Sequence, residues 1–277
     1  MIQQLSTQAP VRELCDLFDC PRSTYYYQSG RRDDSRLITA IEQVLRRRPW
    51  FGYRRVVAQL NRDGIQVGET VVRRLLKVLE HSRAVGQVRI QTTDSNHPYT
   101  RYSNLIRGLT LKQPNQVWVA DITYIRLGTK FMYLAVILDA YSRAVRGWAL
   151  SRSLSQDLTL TALRMALAKA KPLIFHSDQG SQYSAWLHTD MLDAAQVRIS
   201  MSDRGKPMQN GIAERFMRTL KEEHVDYADY TDFPDALRQI AHWLAVEYTT
   251  QRIHSALHYA TPAEFETAAL ASLSPSS

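Results

Sequence analysis

The succession of apolar segments beyond residue 114 constrains the fold more than any other feature of the sequence. Segments rich in β-branched and aromatic residues occupy Val117–Ile125, Phe131–Leu138 and Ala144–Leu150, and such segments are typical of β-strands. The turn Asp139–Arg143 joins the last two. Because strands joined by short turns pair in antiparallel fashion, the three segments predict a meander.

Helices and strands alternate after this predicted meander. The order β-β-β-α-β-α-β-α is that of the ribonuclease-H-like fold, in which a mixed sheet is flanked by helices. A last helix, at about Asp235–Thr250, leads into a short tail. The apolar spacing that gives this order predicts helices and short strands at Gln156–Lys171, Leu173–His176, Ser184–Ala195, Val197–Ser200 and Asn210–Glu223.

The region upstream of this core is predicted to be all helical. Val11–Phe18 and Ser23–Gln28 flank a turn and resemble a helix-turn-helix fragment. Three further helices follow, one that ends near Pro49 and two at Tyr53–Asn61 and Glu69–Glu80. The stretch from Val85 to Gln113 is polar and lacks periodicity, which is typical of a linker.

Positive charge is concentrated in the helical region. The chain of 277 residues has a formal net charge of +8, and residues 31–90 contain 14 Lys and Arg against 6 Asp and Glu, so the remainder is neutral. Such a concentration is typical of proteins that bind a phosphate backbone, and a merely soluble surface is the alternative. The basic candidates for DNA contacts on the predicted helices are Arg54, Arg55, Arg62, Arg73, Arg74 and Lys77.

These patterns together predict five segments along the chain. The expected order is a short helix-turn-helix-like segment at 1–30, a basic helical DNA-binding domain at 31–84, a linker at 85–113, an α/β core at 114–230, and a C-terminal helix and tail at 231–277. The fold class is therefore α/β, with a mixed-sheet core preceded by an all-helical domain.

Several functional classes are disfavoured by the sequence. No stretch approaches the roughly 18 apolar residues that a membrane span needs, and Met1–Pro10 lacks the basic-then-apolar order of a signal peptide. Cys15 and Cys20 lie close together without the Cys and His spacing of a zinc site. We therefore expect a cytoplasmic protein with two structural cysteines.

Three acidic residues are the candidates for chemistry. Asp121 lies inside a predicted strand, where a lone charge would be costly to bury. Asp178 ends another strand, at the carboxyl edge where ligands gather in α/β sheets. Glu214 shares a helix face with Arg218 and Lys221. Taken singly, each has an ordinary alternative: a solvated edge aspartate, a turn aspartate, or a surface glutamate paired with Arg218.

The spacing of the three carboxylates is far more specific than any one of them. Asp178 and Glu214 are separated by 35 residues. The stretch from about Arg36 to Phe265 resembles the OrfB-type transposases of bacterial insertion sequences, which share the retroviral integrase (DDE) core and its Asp, Asp, 35 residues, Glu signature. The matching text is PNQVWVADITYI from Pro114, HSDQGSQY from His176, the loop and helix with Gly205, Pro207, Asn210 and Glu214, then Lys221, and the flanking segments Phe51–Arg55, Arg74–Leu76, Tyr248, Arg252, His254, Leu257 and Thr261–Phe265.

Three positions depart from the family pattern, and none is a proposed metal ligand. Gln209 stands where relatives often carry Asp, while Thr249 and Ile253 replace the usual Asn and Pro of the closing motif. Gln209 is expected to alter hydrogen bonding around the site, and Ile253 to alter how the tail turns. His176 is interpreted as structural, because core and turn histidines outnumber catalytic ones.

The resemblance implies a DNA transposase that cuts transposon ends and transfers strands with two divalent ions. Asp121, Asp178 and Glu214 would bind Mg²⁺ or Mn²⁺, for which hard oxygen ligands are suited. The family also implies double-stranded DNA as partner, both terminal inverted repeats and target, a homo-oligomer on that DNA, and an upstream-frame DNA-binding subunit fused to or working with the chain. Location on the bacterial nucleoid would follow. DNA contacts near the metals and in the closing motif would come from Arg218, Lys221 and Arg252.

Two other functions stay open from the sequence alone. One is a DNA-binding regulator with a basic helical domain on a catalytically silent core, against which the intact Asp121, Asp178 and Glu214 argue. The other is a nuclease that cuts DNA without strand transfer. The sequence does not identify the terminal repeat, the target preference or the oligomeric state.

Overall fold

The computed structural model describes residues 9–26, 34–81 and 100–273. The chain divides into two compact units, residues 1–43 and 44–277. In the first unit, helix α1 (Val11–Leu17) and helix α2 (Arg22–Tyr26) flank a turn at Asp19, which adopts a positive φ of 47°. Leu14 and Cys15 are buried, and both cysteines are free. Helix α3 (Ser35–Arg47) crosses the division between the units.

The second unit begins with a helix-turn-helix pair. Helix α4 (Tyr53–Arg62) and helix α5 (Glu69–Val78) pack against each other. Gly64 ends the first helix with φ 85°, a conformation that glycine adopts without strain. The Asn61 side chain then accepts a hydrogen bond from the Val67 amide at 2.9 Å and closes the turn. The predicted helical region is confirmed over the residues that the structure describes.

A five-stranded mixed sheet forms the core, as the order of elements predicts. The strands are β1 (Val117–Leu127), β2 (Lys130–Asp139), β3 (Val145–Ser151), β4 (Ile174–Ser177) and β5 (Arg198–Met201). They lie in the order β3-β2-β1-β4-β5, with the first three antiparallel and β1, β4 and β5 parallel. The predicted meander and the ribonuclease-H-like arrangement are therefore confirmed.

Two groups of helices cover the two faces of the sheet. Alternate residues of β1 face opposite sides: Val117 and Val119 belong to one apolar cluster, Trp118 and Ala120 to the other. The first cluster is completed by helix α9 (Gly211–Glu223), helix α10 (Phe233–His242) and a π-helical turn (Trp243–Gln251). The second is completed by helix α6 (Gln156–Leu167), the single turn α7 (Ser181–Ser184) and helix α8 (Trp186–Ala194).

Helix α6 approaches strand β3 most closely at Gly147. A Cβ atom at this position would lie 2.1 Å from the Ala162 carbonyl oxygen and 2.9 Å from the Ala166 Cβ. Real Cβ atoms do not approach other atoms so closely. The absence of a side chain at residue 147 therefore sets the distance between this helix and the sheet.

The C-terminal segment corrects the prediction of a short tail. Residues Pro262–Leu273 form helix α11. Its start is a capping box, in which the Glu264 amide donates to the Thr261 hydroxyl at 3.2 Å and the Thr261 amide donates to the Glu264 carboxylate at 2.8 Å. The spacing Thr261-Pro262-Ala263-Glu264 carries this signal in the sequence itself. No helix in the described residues is long and apolar enough to cross a membrane.

The described end of the predicted linker lies against the core. The Leu105 amide donates to the Ser200 hydroxyl at 2.9 Å, and the Asn104 side-chain amide donates to Gln209 Oε1 at 2.9 Å. Residues 85–99 of the predicted linker lie outside the described residues. The five-segment division of the chain stays a prediction.

Candidate active site

Asp121 lies on the central strand β1, opposite Val136 of β2. Its Oδ1 accepts a hydrogen bond from the Ile122 amide at 2.8 Å. Burial, and then the negative charge of Asp178, with a smaller contribution from Glu214, raise the pKa of this carboxyl to about 8. The strand interior therefore holds a carboxyl group among other acids, where its charged form is disfavoured.

Asp178 reaches the same place from the neighbouring strand. Strand β4 runs parallel to β1, with His176 opposite Val119, and Asp178 follows directly after its last residue. The Gly180 amide donates to Asp178 Oδ1 at 3.1 Å and fixes the turn. A small cavity at this carboxyl edge is lined by Asp121, Ile122, Leu154, Asp178, Gly180, Gln182 and Tyr183.

Glu214 comes from the first turn of helix α9, on the sheet face that Val117 and Val119 share with this helix. The helix start is tied to β1 by Asn210, whose buried side-chain amide donates to the Ala120 carbonyl at 2.9 Å. The anchor point is the residue before Asp121. Glu214 is close enough to affect the pKa of Asp121, although it is not among the residues that line the cavity.

The loop before helix α9 explains the unusual Gln209. Its Oε1 accepts a hydrogen bond from the Asp203 amide at 2.7 Å, and its Nε2 donates to the Asp203 carboxylate at 2.9 Å. An aspartate at position 209 would place a second negative charge beside Asp203. Gln209 thus closes the loop through Asp203 rather than through one of the three candidate carboxylates.

His176 is structural in this fold. Its Nδ1 lies 2.8 Å from the Ser200 hydroxyl and its Nε2 lies 3.1 Å from the Ser202 hydroxyl, so the ring joins β4 to the segment around β5. Burial lowers its pKa to about 4. A neutral, fully buried imidazole between two hydroxyl groups is a packing element of the sheet.

Among the described residues, little positive charge acts on Asp121. The Lys221 Nζ lies 4.1 Å from the centre of the Tyr124 ring, and its charge lowers the pKa of Asp121 only as a minor contribution. Burial lowers the pKa of Lys221 itself. Arg218 is exposed. No three His, Cys, Asp or Glu side chains in the described ranges are grouped closely enough to hold a metal as they stand.

The predicted DNA-contacting residues separate into two groups. Arg54, Arg73, Arg74 and Lys77 are exposed on helices α4 and α5. The guanidinium groups of Arg54 and Arg73 lie 5.5 and 4.0 Å from the centre of the Tyr53 ring. Arg62 is also exposed, and it pairs with Glu264 of helix α11 at 2.6 Å, as Arg73 does with Glu69 at 3.6 Å. The exposed residues keep the solvent access that a phosphate contact requires.

Arg55 and Arg252, which the sequence predicts to contact DNA, form ion pairs within the protein. Both bind Glu223, the buried last residue of helix α9. Arg252 donates from Nε and Nη2 to the two carboxylate oxygens at 2.7 Å each, and Arg55 Nη1 donates to Oε1 at 2.9 Å. Because these guanidinium groups are committed inside the protein, we do not propose DNA contacts for them. The missed signal is Glu223 itself, which continues the apolar stripe of Phe216 and Leu220 at helical spacing.

Family models match both the helical region and the core of this chain. The integrase core domain matches residues 112–207 and, in a second form, 195–262, and an HTH-like domain matches 31–81. The catalytic core domain of HTLV-2 integrase in complex with magnesium is similar, with TM-score 0.47 and 19% identity over 56% of this chain and 97% of that chain.

Sequence relatives extend this match over most of the chain. The insertion element IS600 31 kDa protein of Shigella sonnei is 34% identical over 263 residues, which cover 91% of this chain and 97% of the relative. The transposase for insertion sequence element IS904 of Lactococcus lactis is 31% identical over 78% of this chain and 87% of the relative. The chain therefore belongs to the insertion-sequence transposases, with an HTH-like domain followed by an integrase core.

Proposed function

We propose that this transposase cuts DNA at transposon ends and transfers the new strand ends to target DNA, with Asp121, Asp178 and Glu214 as its catalytic carboxylates. One observation carries the proposal. Burial first, then the charge of Asp178 and to a smaller extent that of Glu214, raise the pKa of Asp121 to about 8, so acidic groups from a strand, a strand end and a helix act on one site. Carboxylate oxygens that approach one another from three elements are suited to a cation that comes from outside the chain.

The donor chemistry fits a divalent ion. The charged groups that line the cavity are the carboxylates of Asp121 and Asp178, and neither a thiol nor an imidazole is among the described lining residues. Oxygen donors of this kind select Mg²⁺ or Mn²⁺. Two such ions, when bound, would activate the attacking oxygen and neutralise charge on the leaving oxygen of the phosphodiester.

The residues around the carboxylates fix their positions. The Ile122 amide holds one oxygen of Asp121, and the Gly180 amide holds one oxygen of Asp178. Asn210 ties the helix that carries Glu214 to strand β1. Phosphoryl transfer depends mainly on such positioning and on electrostatic stabilisation. Lys221 and Arg218, on the same helix as Glu214, would hold DNA phosphates beside the site.

The exposed basic residues of α4 and α5 would bind double-stranded DNA. Arg54, Arg73, Arg74 and Lys77 would contact phosphates of the terminal inverted repeats while the core receives the scissile bond and the target. Activity on paired ends would require a homo-oligomer, and an upstream-frame DNA-binding subunit would assist it. Work on chromosomal DNA would place the protein on the bacterial nucleoid in the cytoplasm.

Strand transfer by the purified chain tests this function. Labelled inverted-repeat ends and a target plasmid are incubated with Mg²⁺ and wild type, Glu214→Gln or Glu222→Gln, the last a matched charge change on the same helix. We expect cleavage and joining by wild type and Glu222→Gln, and DNA binding alone by Glu214→Gln. Cleavage without joining would favour the nuclease alternative, and full activity of Glu214→Gln or activity in excess EDTA would exclude the proposal.

A further inference from the structure

The hydroxyl group of Tyr183 is buried without a hydrogen-bond partner in the described part of the chain. The side chain is 3% exposed and belongs to the short turn α7, which follows Asp178. Burial of an unpaired hydroxyl costs about 1–3 kcal/mol. Native proteins rarely accept that cost, so each case calls for an explanation in function or in a bound group.

The unpaired hydroxyl lies at the proposed active site. Tyr183 lines the same cavity as Asp121 and Asp178. Burial, and then the negative charges of Asp121 and of Asp178, raise the pKa of its phenol well above the usual value. The phenol therefore stays protonated and can donate a hydrogen bond. The neighbouring Asp121 and Asp178, once ionised, have acceptor oxygens and no donor.

The ring cannot leave this position without disrupting its packing. Its centroid lies 6.2 Å from that of Phe175 and 5.5 Å from that of His188, which meets it edge to face. The Tyr183 amide donates to the Gly180 carbonyl at 3.0 Å, and the Gly180 amide in turn holds Asp178. The position of the hydroxyl is thus fixed, so a hydrogen bond forms only if the acceptor group moves within reach of it.

We propose that Tyr183 is a positioning residue whose hydroxyl donates a hydrogen bond to the Asp121 carboxylate when a divalent cation is bound. This inference rests on the proposed function of the site. The Ile122 amide already holds Asp121 Oδ1, and each carboxylate oxygen has two acceptor positions. A second donor would fix the plane of the carboxylate and support its ionised form, so that it presents one orientation to the cation.

A purely structural tyrosine would behave differently. Phenylalanine at position 183 keeps the contacts with Phe175 and His188 and removes only the unpaired hydroxyl. Without a metal, Tyr183→Phe should therefore unfold at the same temperature as wild type or at a higher one. With the metal, the loss of the hydrogen bond should weaken binding. A structural role predicts no such opposition between stability and metal affinity.

Tyr230 provides a matched control. Its hydroxyl is also buried and unpaired in the described residues, and its ring packs against His224 rather than beside Asp121. Tyr230→Phe therefore removes the same group from the same kind of environment, outside the cavity of the carboxylates.

Calorimetric titration of the full chain with Mn²⁺, combined with thermal unfolding in EDTA, tests the inference. We expect Tyr183→Phe to bind Mn²⁺ about 10- to 100-fold more weakly than wild type, and Tyr230→Phe to bind it as wild type does. The Mn²⁺ concentration for half-maximal strand transfer should rise in parallel, with DNA affinity unchanged. Equal Mn²⁺ affinity of Tyr183→Phe and wild type would overturn the inference.

Asp178→Asn separates this inference from the proposed function. If wild type binds Mn²⁺ and Asp178→Asn does not, the metal site stands, and the result for Tyr183→Phe then decides the role of the hydroxyl. If wild type and Asp178→Asn do not differ in Mn²⁺ binding, the proposed site and the inference fail together. A loss of folding by Tyr183→Phe in EDTA would also overturn the inference, because it would make the hydroxyl structural.

Discussion

Two acidic groups of this protein, the buried Glu223 and the partly buried Asp121, have opposite surroundings. Glu223 is 4% exposed and has both carboxylate oxygens held by Arg55 and Arg252. Asp121 has one amide bond, from Ile122, and its charged neighbours are mostly acids. The negative charge of Glu223 is compensated by two arginines, whereas the described neighbours of Asp121 supply little positive charge. The contrast separates a carboxylate that holds the fold from one that is available to a ligand.

The two groups also differ in what they connect. Glu223 joins helix α9 to helix α4 and to the segment after the π-helical turn, through bonds that span 168 and 29 residues of sequence. Among the described residues, the Asp121 carboxylate is bonded locally, by the Ile122 amide, and it lies near the end of β4 and the first turn of helix α9. Helix α9 carries one residue of each kind, Glu214 in its first turn and Glu223 at its end. One helix therefore links the HTH-like region to the proposed site.

The largest expected effect is the loss of catalysis when the Asp121 carboxylate is removed. Asp121→Asn keeps the size of the side chain and removes a negative metal ligand, so strand transfer should fall about 10³-fold or more. The measurement is the initial rate of joining at saturating Mg²⁺, with Asp226→Asn as the control for a neighbouring charge. Retention of activity by Asp121→Asn would show that Asp121 is not a catalytic carboxylate and so does not differ from Glu223 in function.

Removal of the satisfied carboxylate should affect stability instead. Glu223→Ala leaves two arginines without their partner, and loss of one member of a buried ion pair costs about 3–5 kcal/mol. Urea denaturation measures this change in the free energy of unfolding. Arg238→Met, which breaks an ion pair in which the arginine side chain is 72% exposed, should change it by less than about 1 kcal/mol. Equal changes in the free energy of unfolding for the two variants would show that the buried ion pairs of Glu223 stabilise the fold no more than an exposed ion pair does.

The pH dependence of stability should differ with and without Asp121. In the folded protein without metal this carboxyl keeps its proton up to about pH 8, whereas its ordinary pKa is 3.8. The folded state then binds more protons between these values, so the contribution of Asp121 to stability decreases as pH rises. Relative to wild type, Asp121→Asn should therefore become more stable by up to about 1.4 kcal/mol for each pH unit between pH 4 and pH 8.

Metal binding should show the converse trend. Because Mg²⁺ or Mn²⁺ competes with the proton on Asp121, the affinity of wild type for the ion should increase with pH until about 8. Titrations at pH 6, 7 and 8 measure it. Affinity that is independent of pH over this interval would show that Asp121 is already ionised, and the electrostatic contrast with Glu223 would lose its basis.

The smallest expected effect concerns the exposed arginines. Arg54→Ala with Arg74→Ala should reduce the dependence of log DNA affinity on log salt by about 2, since each phosphate contact contributes about 0.9. Arg164→Ala with Arg238→Ala removes the same charge from other exposed positions and should leave that slope nearly unchanged. Equal slopes for the two double variants would mean that the basic helices act through general charge alone.

The sequence predicts most of the sheet and less of what lies between elements. Alternation along β1 and the order of strands and helices are local patterns, and the structure confirms the sheet that they predict. The elements that carry Asp121, Asp178 and Glu214 follow from the same patterns. The partners of Arg55 and Arg252 do not, because a charge count cannot distinguish an arginine on the surface from one that binds a glutamate 168 residues away.

Two features that were not predicted, the buried Glu223 and the C-terminal helix, are indicated by local sequence patterns. Glu223 continues an apolar helix stripe, which indicates that a buried partner must exist. The capping box at Thr261 and Glu264 indicates a helix where a tail is expected. The π-helical turn at Trp243–Gln251 had no comparable signal, since its residues are compatible with an ordinary α-helix and tertiary packing decides between the two.

The contact at Gly147 limits how this protein can change during evolution. Even one added methyl group would push helix α6 away from the sheet, and this helix carries Thr159, whose hydroxyl lies 3.4 Å from the carbonyl oxygen of Gln182, the residue before Tyr183. A substitution outside the proposed site would thus be felt beside Asp121 and Asp178. Position 147 therefore takes no side chain without a shift of helix α6, and it gives an experimenter a place to make the protein temperature-sensitive without altering a residue of the proposed chemistry.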